Sequence, residues 1–441
     1  MTFHLVASLQ TPGHFRTAWR LPHADPLATF DVAHFRRLAR TADEVGLDAI
    51  FLGDAPAIAA DIGAQPANGI DPLVLVGHLL AGTERVGGLV TSSATYNSPY
   101  NLARRFQSLD LVTGGRAAVN IVTTYNPAAA ANFGLPEPLD KATRYRRAHE
   151  FLSVVTRLWD SWEPGALAPD KASGRYADPA RIHGPAHEGE FFSVAGPLPL
   201  PHGPQGRPVV IQAGGSEGGL RLAGDFADVV FTVAQTQAKA VAFRDDVHAR
   251  AVAAGRSASQ VKVSLGVIVL VADSEEDAAR RTEELYATLP IDDLARSTLA
   301  ALGLPDHSLD DPITAAELPE IPVSETGSVG FQVSTRALVA EHPMSARELV
   351  RHSAGAAGGH RLLIGTAAQI ADDLEAWWRA GAADGFTIMY ADTAVDFDRF
   401  AHRVVPLLVE RGLFAPAPVG VTLRERLGLA HPHRQRADEA S

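Results

Sequence analysis

The chain has 441 residues, of which 46% are hydrophobic and 20% charged, a globular balance that excludes wholesale disorder and allows an extensive core. Its 39 Lys and Arg stand against 51 Asp and Glu, a formal charge of −12, which argues against a duplex nucleic-acid binder because that needs a basic face to displace phosphate counterions. There is no cysteine, so disulfides, thiolate catalysis, zinc–cysteine sites and iron–sulfur clusters are excluded. The opening MTFHLVASLQ lacks the basic and apolar regions of a secretory signal, and the longest apolar stretch, 265–272, is far short of the ~20 residues of a membrane helix. The expectation is a cytoplasmic chain with no membrane or nucleic-acid partner.

Short β-branched apolar runs at 3–10, 48–52, 86–92, 117–123, 209–213, 228–233, 261–271 and 385–390 read as strands. Amphipathic stretches at 33–45, 72–81, 100–112, 143–159, 238–253, 275–288 and 369–380 read as helices between them. IFLG and VVIQAGG are apolar without alternation, as suits strands buried on both faces. Two segments break the rhythm. Residues 163–207 are rich in Gly, Pro and His with one strand-like patch, EFFSV, and residues 290–360 carry Pro, Asp and Gly clusters with two weak helical patterns. Loops of that length are usually lids or binding segments. The expected fold is α/β: a (β/α)8 TIM barrel over 1–430 as one domain, with insertions at 163–207 and 290–360 and a flexible polar tail at 431–441.

In such a barrel the chemistry sits in the loops that follow the strands. In chain order these loops bring His14 and Trp19 in TPGHFRTAWR, Gly53 and Asp54 in FLGDA, and Thr91, Ser93 and Thr95 in TSSATYNSPY. VNIVTTY brings Asn120, Thr123 and Thr124; QAGGSEGG brings Ala213, Gly214, Gly215 and Ser216; VVFTVAQ brings Phe231 and Thr232. Amides, hydroxyls and glycines with little charge suit a neutral planar heterocycle better than a metal. The sharpest feature is Gly214-Gly215-Ser216 ahead of a helix, where free N–H groups and the positive dipole end favour a phosphate. Ser216 is equally a plain N-cap on a tight turn. Asn120 is a ligand contact or a buried amide bonded to backbone, and His14 is a site residue or a solvated loop histidine. Asp54 orients a ligand or caps its loop. Tyr145, among Arg144, Arg146 and Arg147 in KATRYRRAHE, is a phosphate contact or part of a solvated basic turn. Trp377 and Trp378 read as helix core. No G-x-x-x-x-G-K-[ST] or H-E-x-x-H occurs, and His431-Pro432-His433, the one H-x-H, falls in the tail, so no metal site is expected.

The ordered segments TYNSPYNLARRFQSLDLVTGGRAAVNIVTT, ANFG, RYRRAHEFL, HEGEFFSVAGPLPLPHGPQGRPVVIQAGGSEGG, ADVVFT, IGTAAQIADDLEAWWRAGAADGF and TLRERLGL resemble the bacterial-luciferase-like flavin-dependent monooxygenases. The branch is that of nitrilotriacetate, dibenzothiophene-sulfone and long-chain alkane monooxygenases, and the likeness runs from about residue 3 to 429. The chain departs from the branch pattern at Ala118-Val119 (usually Gly-Trp), at Ala94 in Ser93-Ala94-Thr95 (usually Ser-Thr-Thr), at Ala367 (usually Pro) and at Gly53 (usually Ala). The resemblance implies a barrel that binds reduced FMN at its C-terminal face. Ser216 with the backbone of Ala213, Gly214 and Gly215, helped by Tyr145, would hold the phosphate. Asn120, Thr124, Gly53, Asp54 and Thr91 would meet the isoalloxazine or ribityl chain, and His14 the reacting edge.

The resemblance further implies a two-component system. A separate NAD(P)H:flavin reductase supplies FMNH2, O2 is activated as a C4a-(hydro)peroxyflavin, and one oxygen atom enters a small organic substrate. A homo-oligomer, dimer or tetramer, is expected. Residues 297–335 contain no Arg or Lys, which favours sulfur heterocycles, sulfones or hydrocarbons over aminopolycarboxylates. The competing readings are a deazaflavin-dependent oxidoreductase of the same superfamily, a flavin-binding barrel without turnover, and a carboxylate-based barrel hydrolase.

Overall fold

The computed structural model describes residues 2–59, 61–67, 69–319, 336, 338–353 and 359–432. Its main sheet has nine parallel strands: β1 (His4–Ser8), β2 (Ala49–Leu52), β3 (Gly87–Ser93), β4 (Ala117–Val122), β5 (Val209–Ala213), β6 (Val229–Thr232), β7 (Lys262–Ala272), β8 (Arg361–Thr366) and β9 (Gly385–Tyr390). Pairing runs from β1 through β7 to β9 and back to β1, so eight strands close the expected barrel. These eight are the predicted ones.

β8 is the strand the pattern did not reveal. The lower part of β7, 262–265, pairs with β6, and its upper part, 267–272, pairs with β8. β8 thus extends the wall beyond the end of β6. Its apolar run passes into a helix with no intervening turn, because Thr366 ends the strand and also N-caps the helix in a capping box with Gln369.

The flanking helices are α1 (Val32–Glu44), α2 (Pro72–Leu80), α3 (Pro99–Val112), α4 (Lys141–Trp159), α5 (Glu217–Phe226), α6 (Gln237–Ala253), α7 (Glu275–Tyr286) and α8 (Ala367–Arg379). Asp31, Asp71, Asp140, Ser216, Thr236, Ser274 and Thr366 each accept a first-turn N–H, which fixes where seven of them start. The main core lies between wall and helices, with Phe106, Phe151, Leu158, Trp159 and Phe386 fully enclosed.

An aspartate stands just before three of the barrel strands, at the N-terminal face. Asp48 accepts from Leu5 N–H at 2.7 Å, Asp228 from Val210 N–H at 2.9 Å and Asp384 from Val263 N–H at 2.8 Å. Each also pairs with an arginine: Arg426, Arg424 and Arg244 respectively. Burial alone would raise the carboxyl of Asp228, but the charge and bonds of Arg424 outweigh it and hold the pKa below the usual value. At Asp384 burial is likewise outweighed, there by the Arg244 bonds and the Val263 N–H.

Where one strand-like patch was expected in 163–207, the structure has two hairpins: Leu167–Asp170 with Arg175–Ala177, and His187–Glu188 with Ser193–Val194. Glu150 of α4 pins the second. It accepts from the N–H groups of Phe191 and Phe192 and lies 2.9 Å from His187 Nε2. In 290–360 the helices Ile291–Leu302 and Ala346–Ser353 share a small core of their own with Ile313 and Val339. Residues 320–335, 337 and 354–358 of that segment, and 433–441 of the tail, lie outside the described residues. Among the described residues no helix is long and apolar enough to cross a membrane.

Candidate active site

Thr91 and Asn120 are register partners on β3 and β4, both buried. Asn120 Nδ2 donates to Thr91 Oγ1 at 3.1 Å. Asn120 Oδ1 is shielded from solvent and accepts no hydrogen bond. An unpartnered buried oxygen costs about 1–3 kcal/mol, so a ligand N–H placed there gains what the apo-protein forgoes. Just above, Thr124 Oγ1 donates to Ser93 Oγ at 2.8 Å, and Ser93 Oγ also accepts from the N–H groups of Thr95 and Tyr96. Of the two readings left open for Asn120, bonding to neighbouring backbone is not what the structure has.

Ala213 ends β5, and Gly214-Gly215 lead into Ser216, the N-cap of α5. Ser216 Oγ accepts from Gly219 N–H and donates to Tyr145 OH at 2.8 Å. The cap and the tyrosine contact therefore coexist. Tyr145 can sit there because residue 218 is glycine: a Cβ at Gly218 would lie 2.7 Å from the phenol ring. The neighbouring arginines are engaged elsewhere. Buried Arg144 bonds the carbonyl of Leu139, Arg146 pairs with Glu190, and Arg147 donates to Thr95 O and lies over the Phe192 ring. The turn thus offers hydroxyls, backbone N–H groups and a helix dipole.

His14 is held from below by its own N–H, which donates to Tyr390 O at 2.8 Å. Gly13 makes this seat possible, since a Cβ there would stand 2.4 Å from Ala391 O, and its φ of +152° is one that side chains rarely adopt. The His14 ring lies 5.8 Å from that of His360, which lies 5.8 Å from Phe231. His14 Nε2 is shielded from solvent and has no hydrogen-bond partner. Burial first, and then His360, push the pKa of His14 down to about 3, so the imidazole is neutral. The solvated-loop reading of His14 does not hold. His360 was not singled out from the sequence: it ends the irregular 290–360 segment, and only the position of β8 brings it to the barrel mouth.

Asn120, Ala213 and Phe231 line one cavity of about 140 Å3 inside the barrel. Gly53 and Asp54 are not part of it. They are exposed and line a separate hollow of about 240 Å3 with Gln10, Thr11 and Arg16. The Asp54 carboxyl is shifted upward by desolvation and then by the charge of Asp71. Trp377 is buried as expected, with the Arg361 guanidinium 3.7 Å from its ring centroid, and Trp378 packs partly buried against the same core.

Residues 1–384 match the family described as luciferase-like monooxygenase. The chain is 39% identical over 438 residues to nitrilotriacetate monooxygenase component A of Aminobacter aminovorans, covering 96% of this chain and 95% of that one. It is 37% identical over 438 residues to dibenzothiophene-sulfone monooxygenase of Rhodococcus erythropolis, with the same coverage. Among solved structures, the EDTA monooxygenase from Chelativorans sp. BNC1 superposes with a TM-score of 0.82 at 33% identity, over 98% of this chain and 99% of the other. A riboflavin lyase solved with modified FMN and riboflavin superposes with a TM-score of 0.83 at 29% identity, over 98% and 97%. With the closed barrel and the polar groups at its mouth, these likenesses lead to one conclusion: the chain belongs to the luciferase-like monooxygenases, a family of flavin-dependent oxidoreductases.

Proposed function

We propose that this chain is the oxygenase half of a two-component system, taking FMNH2 from a separate NAD(P)H:flavin reductase and using O2 to oxygenate a small organic substrate. The observation that carries the reading is the pairing of Ser216 with Tyr145 at the start of α5, together with a buried and unpartnered Asn120 oxygen that shares a cavity with Ala213, just ahead of that turn. These residues fit FMN. The turn presents hydroxyls, N–H groups and a dipole to a phosphate, and the Asn120 oxygen can accept from a ring N–H.

In this reading Ser216, Tyr145 and the backbone of Ala213, Gly214 and Gly215 bind the phosphate. Asn120 orients the ring, with Thr91 and Thr124 beside it; Gly53 and Asp54, which open onto the separate hollow after β2, take no part in this ring contact. His14, neutral, offers Nε2 to the reacting edge without bringing a charge. FMNH2, when bound, supplies the electron pair with which O2 is split, one oxygen atom entering the substrate and the other leaving as water. Segment 163–207 and the described part of segment 290–360, as insertions on a single domain over 1–430, would cover the mouth and exclude water. A cytoplasmic dimer or tetramer belongs to the same proposal. The cation-free stretch 297–335 favours sulfones, sulfur heterocycles or hydrocarbons as substrates.

Ser216→Asp tests the phosphate site. Aspartate preserves the N-cap but places a negative charge where the phosphate would bind. The expected result is an unchanged unfolding midpoint with FMN binding weakened by about ten- to a hundredfold. Wild-type FMN affinity in this variant would remove the phosphate assignment. With a flavin reductase and 18O2, wild-type enzyme is expected to transfer label into substrate, and a substrate panel that stays unlabelled would sink the oxygenase reading.

A further inference from the structure

We propose that the hollow interior of the barrel is a gas chamber that holds O2 directly beneath Asn120. Barrels of eight parallel strands are ordinarily filled by layers of branched side chains. Here inward positions on five strands carry Ala49, Ala118, Ala213, Ser264 and Gly385, and the space they leave is a cavity of about 140 Å3. Its apolar wall includes Leu89, Ile211 and Val229. Leu423 and Leu427, from the short C-terminal helix and its end, join the same apolar cluster and stop the lower end. Asn120 and Phe231 stand at the upper end.

Apart from the Asn120 oxygen at the upper end and His4 and Lys262 at the lower rim, the polar groups on the wall are committed to protein partners. The hydroxyls of Ser264 and Thr387 lie 2.8 Å apart and satisfy each other. Asp48, at the lower rim, is taken by Leu5 N–H and Arg426. An apolar cavity of about this size stays dry and accepts xenon or a similar small apolar molecule. A molecule that reaches it through packed side chains must be small and uncharged, which describes a diatomic gas. That the gas is O2 rests on the proposed function, since the chamber ends at the residue assigned to orient the reduced ring.

Xenon-pressurised crystals of the whole protein read the chamber directly. Xenon is expected between Ala118 and Val229. Ala118→Leu fills the space, and Ala49→Val fills it more gently should the first variant not fold. In either, the xenon peak is expected to be lost or weakened and the KM for O2 to rise, with kcat at saturating O2 and FMN affinity unchanged. Ordered water, or no xenon, in the wild-type chamber would overturn the proposal. So would a wild-type KM for O2 in both filled variants. If the proposed function itself fails, reductase-dependent O2 consumption is missing while xenon still occupies the chamber, and the O2 assignment falls with it.

Discussion

The two faces of the barrel are built from opposite kinds of polar chemistry. At the N-terminal face three strand-leading carboxylates are paired with arginines. Asp48, Asp228 and Asp384 each tie an adjacent strand's N–H to an arginine, and Arg116 donates to Thr83 and to the carbonyls of Val86 and Leu80. At the C-terminal face, neutral groups are left unpaired: Asn120 Oδ1, His14 Nε2, Thr95 Oγ1 and Gln212 Oε1. Paired charges at strand starts lock the register, whereas unpaired neutral groups forgo stability that a ligand can return. One end of the cylinder holds the fold and the other is prepared to bind.

The largest expected effect lies at the paired face. Asp228→Asn leaves Arg424 buried without its carboxylate and is expected to cost about 3–5 kcal/mol in urea unfolding, with FMN affinity of the folded fraction unchanged. A loss below about 1 kcal/mol would show that this face does not carry stability in the way its bonds suggest. Next is Asn120→Leu at the open face. The substitution removes the unpartnered oxygen but also the Nδ2 bond to Thr91, so the two offset and apo-protein stability is expected to change by less than about 1 kcal/mol, while FMN binding weakens by about three- to tenfold. A variant that loses stability yet binds FMN normally would reverse the comparison.

The contrast extends to a pH slope. The folded pKa of His14 is about 3 and its ordinary value 6.5, so between these values the unfolded chain holds more protons. The stability of the neutral buried ring is complete above pH 6.5 and declines as pH falls toward 3. His14→Gln removes that slope, so its urea midpoint is expected to drop less than the wild type's between pH 7 and pH 5, and equal drops would refute the shift. Asp228 and Asp384, whose folded values are depressed, lose their contribution only as pH falls below about 4, which keeps them out of the pH 7 to pH 5 interval of this test.

Much of this architecture was legible in the residues. Short β-branched apolar runs placed all eight barrel strands, and runs such as IFLG and VVIQAGG lack alternation because a wall covered on both faces needs apolar side chains on both. The Gly214–Ser216 turn was legible because a strand-to-helix junction needs a cap, and serine supplies one. β8 was not, since it pairs only with the far half of an eleven-residue strand and passes straight into α8. Glu150 escaped notice because its role depends on a hairpin some forty residues further along the chain.

Periodicity and capping determined which segments are strands and helices, since those preferences are settled among residues only a few positions apart. The tertiary structure alone decided which side chains meet. Ser216 finds Tyr145 across 71 positions, His14 faces a histidine delivered by β8, and Gly53 with Asp54 open onto a different hollow from Asn120. It also decided that the centre of the cylinder stays open, because small residues on separate strands leave a void only after ring closure sets them opposite one another.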